Sequence, residues 1–498
     1  MDRIPDAPAA VPPASPDRRG LDCALIHGVA WTGAFRWITQ LLNWGITIAL
    51  ARVLSPADYG LYGYATLYVN LVQLVNEFGL GAAIVRRRDL DDHQISALGG
   101  LSLALGFGLF GLSFLTAPLV AAFFDAPDLR WPLVLLSGLF VTTALKVLPK
   151  SLLSRDLQFR RVASLDAIEA GCQGVATLIL ALLGFRFWSL MAGMVLGAVV
   201  SATLALLWRP HRIAWPRAWR EVSGAVGFGT HIMVSRLAWY GYSNADNAVV
   251  GKRLGQVLLG AYNHAWTLAS LPVDRISGLV AQVTPAIFSA VQHDLPALRR
   301  YLLKVTEGLA LLTFPLAFGL ASITDLFVVV VLGDRWWPAI APLAILTFYG
   351  GLRSITATYP HVLQAVGQSG LAMRLNLLGI AILLPLFLVG SRWGLAGVAM
   401  GWVVGYPFLV AVQFRAVQRA AGLGFGEYLD AVRPPLIASV AMAAVVLAVR
   451  LVLPATWSDA WHLGAAVVAG GVAYPAVMLL AFGDRLSGLK ALAREIRK

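Results

Sequence analysis

Apolar runs of membrane-spanning length are the feature that most constrains this chain. They recur along almost the whole sequence, and each is roughly 20 residues long, enough to cross about 30 Å of hydrocarbon. A backbone in hydrocarbon must satisfy its own hydrogen bonds, so a spanning segment is a helix or a strand of a closed barrel. The runs are continuous and do not alternate every second residue, which indicates helices. The sequence therefore predicts an all-α polytopic membrane protein.

The charged residues agree with this fold and give an orientation. Hydrophobic residues make up 58% of the chain and charged residues only 13%, whereas a soluble domain carries about twice that charged fraction. The net charge of +13 has its origin in Lys and Arg near the ends of the spans, most of them on one side. Because cytoplasmic loops are enriched in Lys and Arg, both termini are expected in the cytoplasm. Nucleic acid is not an expected partner.

We expect 14 spans from the apolar runs. Their approximate ranges are 30–53, 59–82, 95–123, 131–149, 164–184, 187–208, 226–250, 257–287, 302–332, 338–362, 372–391, 394–414, 432–453 and 461–483. The two longest, 257–287 and 302–332, exceed what a bilayer needs and should tilt, bend or project into water. The predicted organisation is a disordered cytoplasmic tail (1–28), an N-lobe of six helices (29–222), a C-lobe of six helices (223–420), two extra helices (421–484) and a basic cytoplasmic tail (485–498).

The two lobes repeat each other about 200 residues apart. Residues 51–66 and 251–266 share four residues at an offset of 200: Leu54 with Leu254, Gly60 with Gly260, Tyr62 with Tyr262, and Ala65 with Ala265. The same offset relates Arg36 to Arg236, and an offset of 207 relates Lys146 to Arg353. Six spans separate matched positions, so the repeats have the same orientation, with their axis along the membrane normal around a central cavity.

Four cations inside the spans are the candidate ligands of an anion: Arg36, Arg236, Lys146 and Arg353. A charge at mid-helix costs about 2.5–3.5 kcal/mol on insertion scales, so it marks a functional site by default. A positively lined cavity would hold these side chains and prefer an anionic ligand such as phosphate. The alternatives are that they snorkel to the headgroups or pair with a nearby acid.

Span 226–250 contains an unusually polar stretch that includes Asn244, Asp246 and Asn247. Asp246 is a candidate site for a coupling cation or proton, although capping a helix break or pairing with Lys252 or Arg253 is the favoured interpretation. Asp166 and Glu169 lie one turn apart on one helix face, and a pair with Arg160 or Arg161 is expected for them.

No feature of the sequence indicates an enzyme. The loops are too short for a catalytic domain, no nucleophile–base pair or P-loop is present, and the histidines have no metal-ligand spacing. The expected catalytic residues, metal and cofactor are therefore none, and coupling to H⁺, Na⁺ or membrane potential stays open. Gly106, Gly108 and Gly111 fit the dinucleotide-binding pattern, but they lie in an apolar span without a preceding strand, where small residues allow close helix packing.

Several motifs together resemble the oligosaccharide flippases of the polysaccharide transporter family, often called Wzx-type. This family belongs to the multidrug, oligosaccharidyl-lipid and polysaccharide exporter superfamily. The motifs are Leu54–Tyr62 after the first span, Gly79–Ile84 after the second, Pro149–Arg160 after the fourth, and Asp246–Gly255 followed by Leu259–Tyr262.

The resemblance implies a flippase for polyprenyl-diphosphate-linked oligosaccharide in a bacterial inner membrane. It would serve exopolysaccharide, capsule or O-antigen assembly and work by alternating access. It implies that Arg36 and Arg236 hold the diphosphate, and it leaves Trp37, Trp44, Trp239 and Tyr240 as candidate sugar contacts beside a packing role. Expected partners are membrane lipids, a polysaccharide polymerase and chain-length proteins. The alternative function is a cation-coupled multidrug exporter on the same scaffold, whose cavity should be acidic.

Overall fold

The computed structural model describes residues 45–77, 81, 84, 90–215, 219–367 and 369–496, and no β-strand occurs in these ranges. Residues 45–53 are helical and are labelled α1. The other helices are α2 (Pro56–Glu77), α3 (Asp92–Phe123), α4 (Arg130–Arg155), α5 (Phe159–Leu182), α6 (Phe187–Trp208), α7 (Trp219–Leu254), α8 (Gln256–Ala290), α9 (Leu295–Ser322), α10 (Ile340–Thr356), α11 (Tyr359–Ala365), α12 (Ser369–Gly390), α13 (Gly394–Ala421), α14 (Phe425–Val452) and α15 (Asp459–Ile496).

The prediction of an all-helical, multi-pass membrane protein is confirmed. Nine stretches of the described residues are long and apolar enough to cross a membrane. One of them, Arg374–Ala421, contains most of α12 and all of α13, which a short 3-10 turn at Ser391–Trp393 separates. Large apolar side chains such as Leu119 on α3 and Leu480 on α15 face outward, as lipid-facing side chains of a membrane bundle do.

The predicted span 302–332 is not one helix. Helix α9 ends at Ser322, and Ile323 leaves helical geometry with φ −123 and ψ 12. A short α-helix, Thr324–Phe327, follows, and then a π-helix at Val328–Leu332. It ends at Gly333, whose φ of 100 lies in the region that glycine tolerates. The bend expected of a segment longer than the bilayer is therefore a complete break in the helix.

The two matched glycines of the repeat touch each other. A Cβ on Gly60 would lie 1.9 Å from the carbonyl oxygen of Gln256, and a Cβ on Gly260 would lie 1.9 Å from that of Pro56. Helices α2 and α8 therefore cross with their backbones in contact, each glycine against the first residue of the other helix. A shift of 200 residues converts the contact of Gly60 with Gln256 into that of Gly260 with Pro56. Contacts that interchange in this way are typical of a pseudo-two-fold axis, as the repeat predicts.

Contacts between distant segments close the bundle at this crossing. The indole Nε1 of Trp336 donates to the carbonyl of Ala51 at 2.8 Å, and Gln256 Nε2 donates to the carbonyl of Ala57 at 2.7 Å. Trp336 is fully buried. We refer to the contacts of Ala51, Gly60, Gly260 and Trp336 as the seal.

The last two helices pack on α9 from outside. Arg450 of α14 donates to the carbonyl of Ser322 at 2.6 Å and pairs with Asp325 at 2.5 Å. Tyr474 of α15 donates to the carbonyl of Leu311 at 2.8 Å.

Candidate functional site

A cavity of ≈ 350 Å³ lies between α2, α4, α5, α6 and α7. Helices α2 and α4 begin at the end of the bundle that holds the seal, because Asp125, just before α4, pairs at 2.8 Å with Lys252 at the end of α7. The cavity is lined by the second halves of α2 and α4, for example by Gln73 and Lys150. It therefore lies beyond the seal, toward the opposite end of the bundle.

Three cations and one acid line this cavity. Lys146 and Lys150 come from α4, Arg236 from α7 and Glu169 from α5. Lys146 Nζ pairs with Glu169 Oε2 at 2.5 Å, with side-chain exposures of 15% and 27%. The three lining cations face two acids, Glu169 in the lining and Asp166, which pairs with Lys150 from outside it, so the site carries net positive charge and favours an anionic ligand. Arg236 is exposed to the cavity.

The spacing of α4 explains why its cations share one wall. Thr143, Lys146, Val147 and Lys150 all line the cavity, and steps of three and four residues stay on one helix face. The expectation that Asp166 and Glu169 pair with Arg160 or Arg161 is wrong. Lys150 pairs with Asp166 at 2.6 Å and Lys146 with Glu169, because α5 packs its first turns against α4.

Of the four cations predicted to bind a diphosphate, the structure brings Lys146 and Arg236 to one cavity. Arg353 on α10 lies elsewhere and pairs with Asp274 on α8, with 30% of its side chain exposed. Arg36 and two predicted sugar contacts, Trp37 and Trp44, lie outside the described residues.

The other two predicted sugar contacts have different environments. Trp239 is 54% exposed, so its ring is accessible. Tyr240 is 9% exposed and its hydroxyl donates to the carbonyl of Leu67 on α2 at 2.8 Å. This bond joins α7 to α2 beside the cavity, which is a packing role.

Asp246 is fully buried, and the interpretation that it pairs with Lys252 or Arg253 is wrong. Its Oδ2 accepts hydrogen bonds from Tyr262 and Trp402, both at 2.8 Å. Its Oδ1 accepts from the backbone N–H of Asn247 at 2.8 Å. A buried carboxylate needs donors in place of water, and these come from α8 and α13. Helix α7 continues through this position, so no helix break needs a cap.

The two asparagines beside Asp246 bind mostly within α7. Asn244 Nδ2 donates to the carbonyl of Tyr240, one turn earlier, at 3.1 Å. The side-chain Oδ1 of Asn247 is buried and accepts no hydrogen bond in the structure. Neither residue belongs to the cavity lining.

Sequence reasoning missed the cavity's uncharged polar residues, Asn70 and Gln73 of α2, Thr143 of α4 and Gln173 of α5. Lys150, which directly follows the predicted span 131–149, was not among the predicted anion ligands. The signal for Asn70 and Gln73 was available, since two amides three residues apart in an apolar span share a face. No group of three or more His, Cys, Asp or Glu that could hold a metal occurs in the described part of the chain.

Comparison with known proteins agrees with this architecture. Teichuronic acid biosynthesis protein TuaB of Bacillus subtilis (strain 168) is 26% identical, over 93% of this chain and 97% of its own length. Lipopolysaccharide biosynthesis protein WzxC of Escherichia coli (strain K12) is 23% identical, over 86% of this chain and 88% of its own.

A solved structure of the lipid II flippase MurJ, in its inward closed conformation, superposes with a TM-score of 0.75. The match covers 91% of this chain and 98% of that one at 13% sequence identity, so it shows a shared fold. The model of the family described as polysaccharide biosynthesis protein matches residues 49–341. Since this match spans more than half of the 498 residues, the chain belongs to the polysaccharide biosynthesis protein family, as its resemblance to Wzx-type flippases predicts.

Proposed function

We propose that the protein is a flippase that carries polyprenyl-diphosphate-linked oligosaccharide repeat units across the bacterial inner membrane, for exopolysaccharide, capsule or O-antigen biosynthesis. The observation that carries the proposal is the cavity in which Lys146, Lys150 and Arg236 outnumber Glu169. Such a lining binds phosphate oxygens through charge-assisted hydrogen bonds. TuaB and WzxC are named for polysaccharide biosynthesis, and MurJ is named a flippase.

The proposed mechanism is alternating access between two lobes. We place an N-lobe at 29–222, a C-lobe at 223–420 and two extra helices at 421–484, with 14 spans and both termini, including the tails 1–28 and 485–498, in the cytoplasm. In the state described here the seal closes one end, which is then the periplasmic end, while the cavity faces the cytoplasmic leaflet. The diphosphate enters the cavity, the polyprenyl chain stays in lipid, and separation of α2 from α8 opens the other side.

The chain acts as a carrier and not as an enzyme in this proposal, and its partners are membrane lipids, a polysaccharide polymerase and chain-length proteins. No cofactor is needed, but transport can draw on H⁺, Na⁺ or membrane potential. Asp246 is the proposed coupling group, because its carboxylate links α7 to α8 and α13 through Tyr262 and Trp402. Asp246→Asn, checked for folding by its melting temperature, should abolish the dependence of transport on the coupling ion.

The alternative, a cation-coupled multidrug exporter, needs an acidic cavity for cationic drugs. Here the one lining acid, Glu169, is already paired with Lys146. Efflux of a cationic dye that is lost in Glu169→Gln or Asp246→Asn would favour the exporter. If these variants instead lose polymer output while resistance to the dye is unchanged, the flippase is favoured.

The decisive experiment removes cations from the cavity. In a strain that depends on this protein, Lys150→Ala with Arg236→Ala should cause lipid-linked intermediate to accumulate and reduce polymer output at least about 10-fold, since each hydrogen bond to a charged group is worth about 1.5–3 kcal/mol. The control is Lys304→Ala with Arg415→Ala, which removes the same charge outside the cavity lining. Normal polymer output from the cavity variant, at equal protein level, would overturn the proposal.

A further inference from the structure

A polar stripe runs along the face of α8 that meets α2. Asn263 lies against α2 at the crossing of the two helices, because a Cβ on Gly63 would be 2.3 Å from its Nδ2. Thr267, Ser270 and Asp274 follow at steps of four, three and four residues, which keep all four side chains on one helix face. Four polar residues in register, one of them charged, indicate that this face of the helix borders water and not lipid.

Helices α2 and α8 separate as they run away from the seal. Thr267 is exposed, and 54% of the side chain of Asp274 is exposed, although both lie on the face by which α8 touches α2 at the seal. The matched position on α2 behaves in the same way. Asn70, the counterpart of Ser270 at the offset of 200, is exposed and lines the cavity. The stripe and the cavity therefore border the space between α2 and α8, one from each side.

The end of the stripe lies at the depth of the cavity. Asp274 comes 14 residues after Gly260, and Gln73 of the cavity lining comes 13 residues after Gly60. At about 1.5 Å per residue, each lies roughly 20 Å from the touching glycines of the seal. One molecule in the space between the helices can thus meet the cavity on one side and Asp274 on the other.

The stripe offers hydrogen bonds without net charge. Arg353 of α10 pairs with Asp274, and 30% of the Arg353 side chain is exposed beside it. A carboxylate only accepts hydrogen bonds and a guanidinium only donates them, so the pair presents both kinds of group side by side. The hydroxyls of Thr267 and Ser270 donate to their own helix at 2.8 and 2.6 Å, which leaves their oxygens as acceptors. A neutral surface of this kind fits sugar hydroxyls, which both donate and accept.

We infer that Asp274 and Arg353, with the oxygens of Thr267 and Ser270, form a glycan subsite. Asp274 accepts hydrogen bonds from the hydroxyls of the repeat unit and Arg353 donates to them, while the diphosphate lies in the cationic cavity across the space. The inference rests on the proposed function and deepens it, because it assigns the uncharged part of the substrate to α8 and α10.

Binding to the purified full-length protein in detergent tests this assignment. The probes are inorganic diphosphate, the lipid-linked intermediate extracted from the strain with Lys150→Ala and Arg236→Ala, and polyprenyl diphosphate of the same chain length without sugar. The wild type should bind the intermediate about 10-fold or more tightly than the sugar-free lipid, as expected for one hydrogen bond to a charged group. Asp274→Leu with Arg353→Met should remove this sugar gain. Because the pair has no net charge, the affinity for inorganic diphosphate should stay unchanged, which also shows that the variant is folded.

A swapped variant keeps an ion pair at the same place. Asp274→Arg with Arg353→Asp exchanges the donor with the acceptor, so it should also lose the sugar gain while it binds inorganic diphosphate like the wild type. Retention of the gain in the swapped variant would contradict the assignment of donor and acceptor to these two side chains.

The matched control is a second Arg–Asp pair of similar exposure. Arg450 and Asp325 are 23% and 46% exposed and join α14 to the segment that follows α9. Asp325→Leu with Arg450→Met should retain the sugar gain. Loss of the gain in this control as well would show a general effect of removing an ion pair, and the inference would be wrong.

The remaining outcomes separate this inference from the proposed function. Arg236→Ala should weaken the binding of all three probes. If inorganic diphosphate binds and depends on Arg236, but the sugar gain is absent in the wild type or survives Asp274→Leu with Arg353→Met, the inference is wrong and the function stands. If no intermediate accumulates, or if no probe binds through Arg236, the proposed function fails and the inference fails with it.

Discussion

Gly60→Ala should weaken the seal between α2 and α8. The added Cβ would lie 1.9 Å from the carbonyl oxygen of Gln256, whereas ordinary contact begins at 3.4 Å. The obstacle is backbone, so the two helices must separate by about 1.5 Å locally, and overpacking of this kind costs about 1–3 kcal/mol. Because the strain exists only while the helices touch, the ratio of open to sealed molecules should rise about 5- to 150-fold.

Cysteine accessibility measures that ratio. Leu259 is fully buried and packs beside Gly63 at the same crossing, so Leu259→Cys reacts with a water-soluble maleimide only when the seal opens. With Cys23 and Cys172 replaced by Ser, Gly60→Ala should raise the labelling rate of this reporter in detergent by the same factor. A second reporter, Leu136→Cys, lies in the buried core along α4 and should stay protected unless the protein unfolds.

The matched control is Gly108→Ala. Nothing lies within 4 Å of a Cβ built on Gly108, so this variant gives the same gain in helix propensity, up to about 1 kcal/mol, without the clash. The reasoning is refuted if Leu259→Cys is labelled at equal rates with Gly60→Ala and with Gly108→Ala. It is also refuted if Gly60→Ala accelerates the labelling of Leu259→Cys and Leu136→Cys equally.

Two further perturbations test ion pairs. Glu169→Gln keeps a hydrogen-bond acceptor for Lys146 but removes the cavity's acid. Inorganic diphosphate should therefore bind about 3-fold or more tightly at low salt and lose that gain at high salt. Unchanged binding in a titration at both salt concentrations would contradict this. Arg450→Met should lower stability by about 1–2 kcal/mol in thermal melts, because Arg450 binds both the Ser322 carbonyl and Asp325 and the pair is partly exposed. Asp325→Asn should cost less than Arg450→Met, and the reverse order would show that the carbonyl bond contributes little.

The sequence predicted those parts of the structure that depend on local pattern. Apolar run lengths identified an all-helical membrane fold, and the shared register of Gly60 and Gly260 identified the internal repeat whose glycines meet in the structure. Both follow from short-range rules: the thickness of hydrocarbon, and the need of a close crossing for residues without a Cβ.

Partners far apart in the chain could not be predicted. Asp246 lies six residues from Lys252 but accepts from Tyr262 and Trp402, which are 16 and 156 residues away. The choice depends on how α7 is rotated about its axis and on which helices pack against it, and the local sequence of α7 specifies neither. The same ambiguity hid the lining role of Gln73.

The repeat is preserved at the seal but not in the ion pairs of its matched cations, and this follows from what each residue contacts. At the seal each repeat's partner is its own copy, so symmetric residues, Gly60 and Gly260, satisfy both sides. The matched cations Lys146 and Arg353 instead pair with acids from helices that do not correspond, Glu169 on α5 and Asp274 on α8. Matched positions that pair with different helices can take different roles, and of these two cations only Lys146 lines the described cavity.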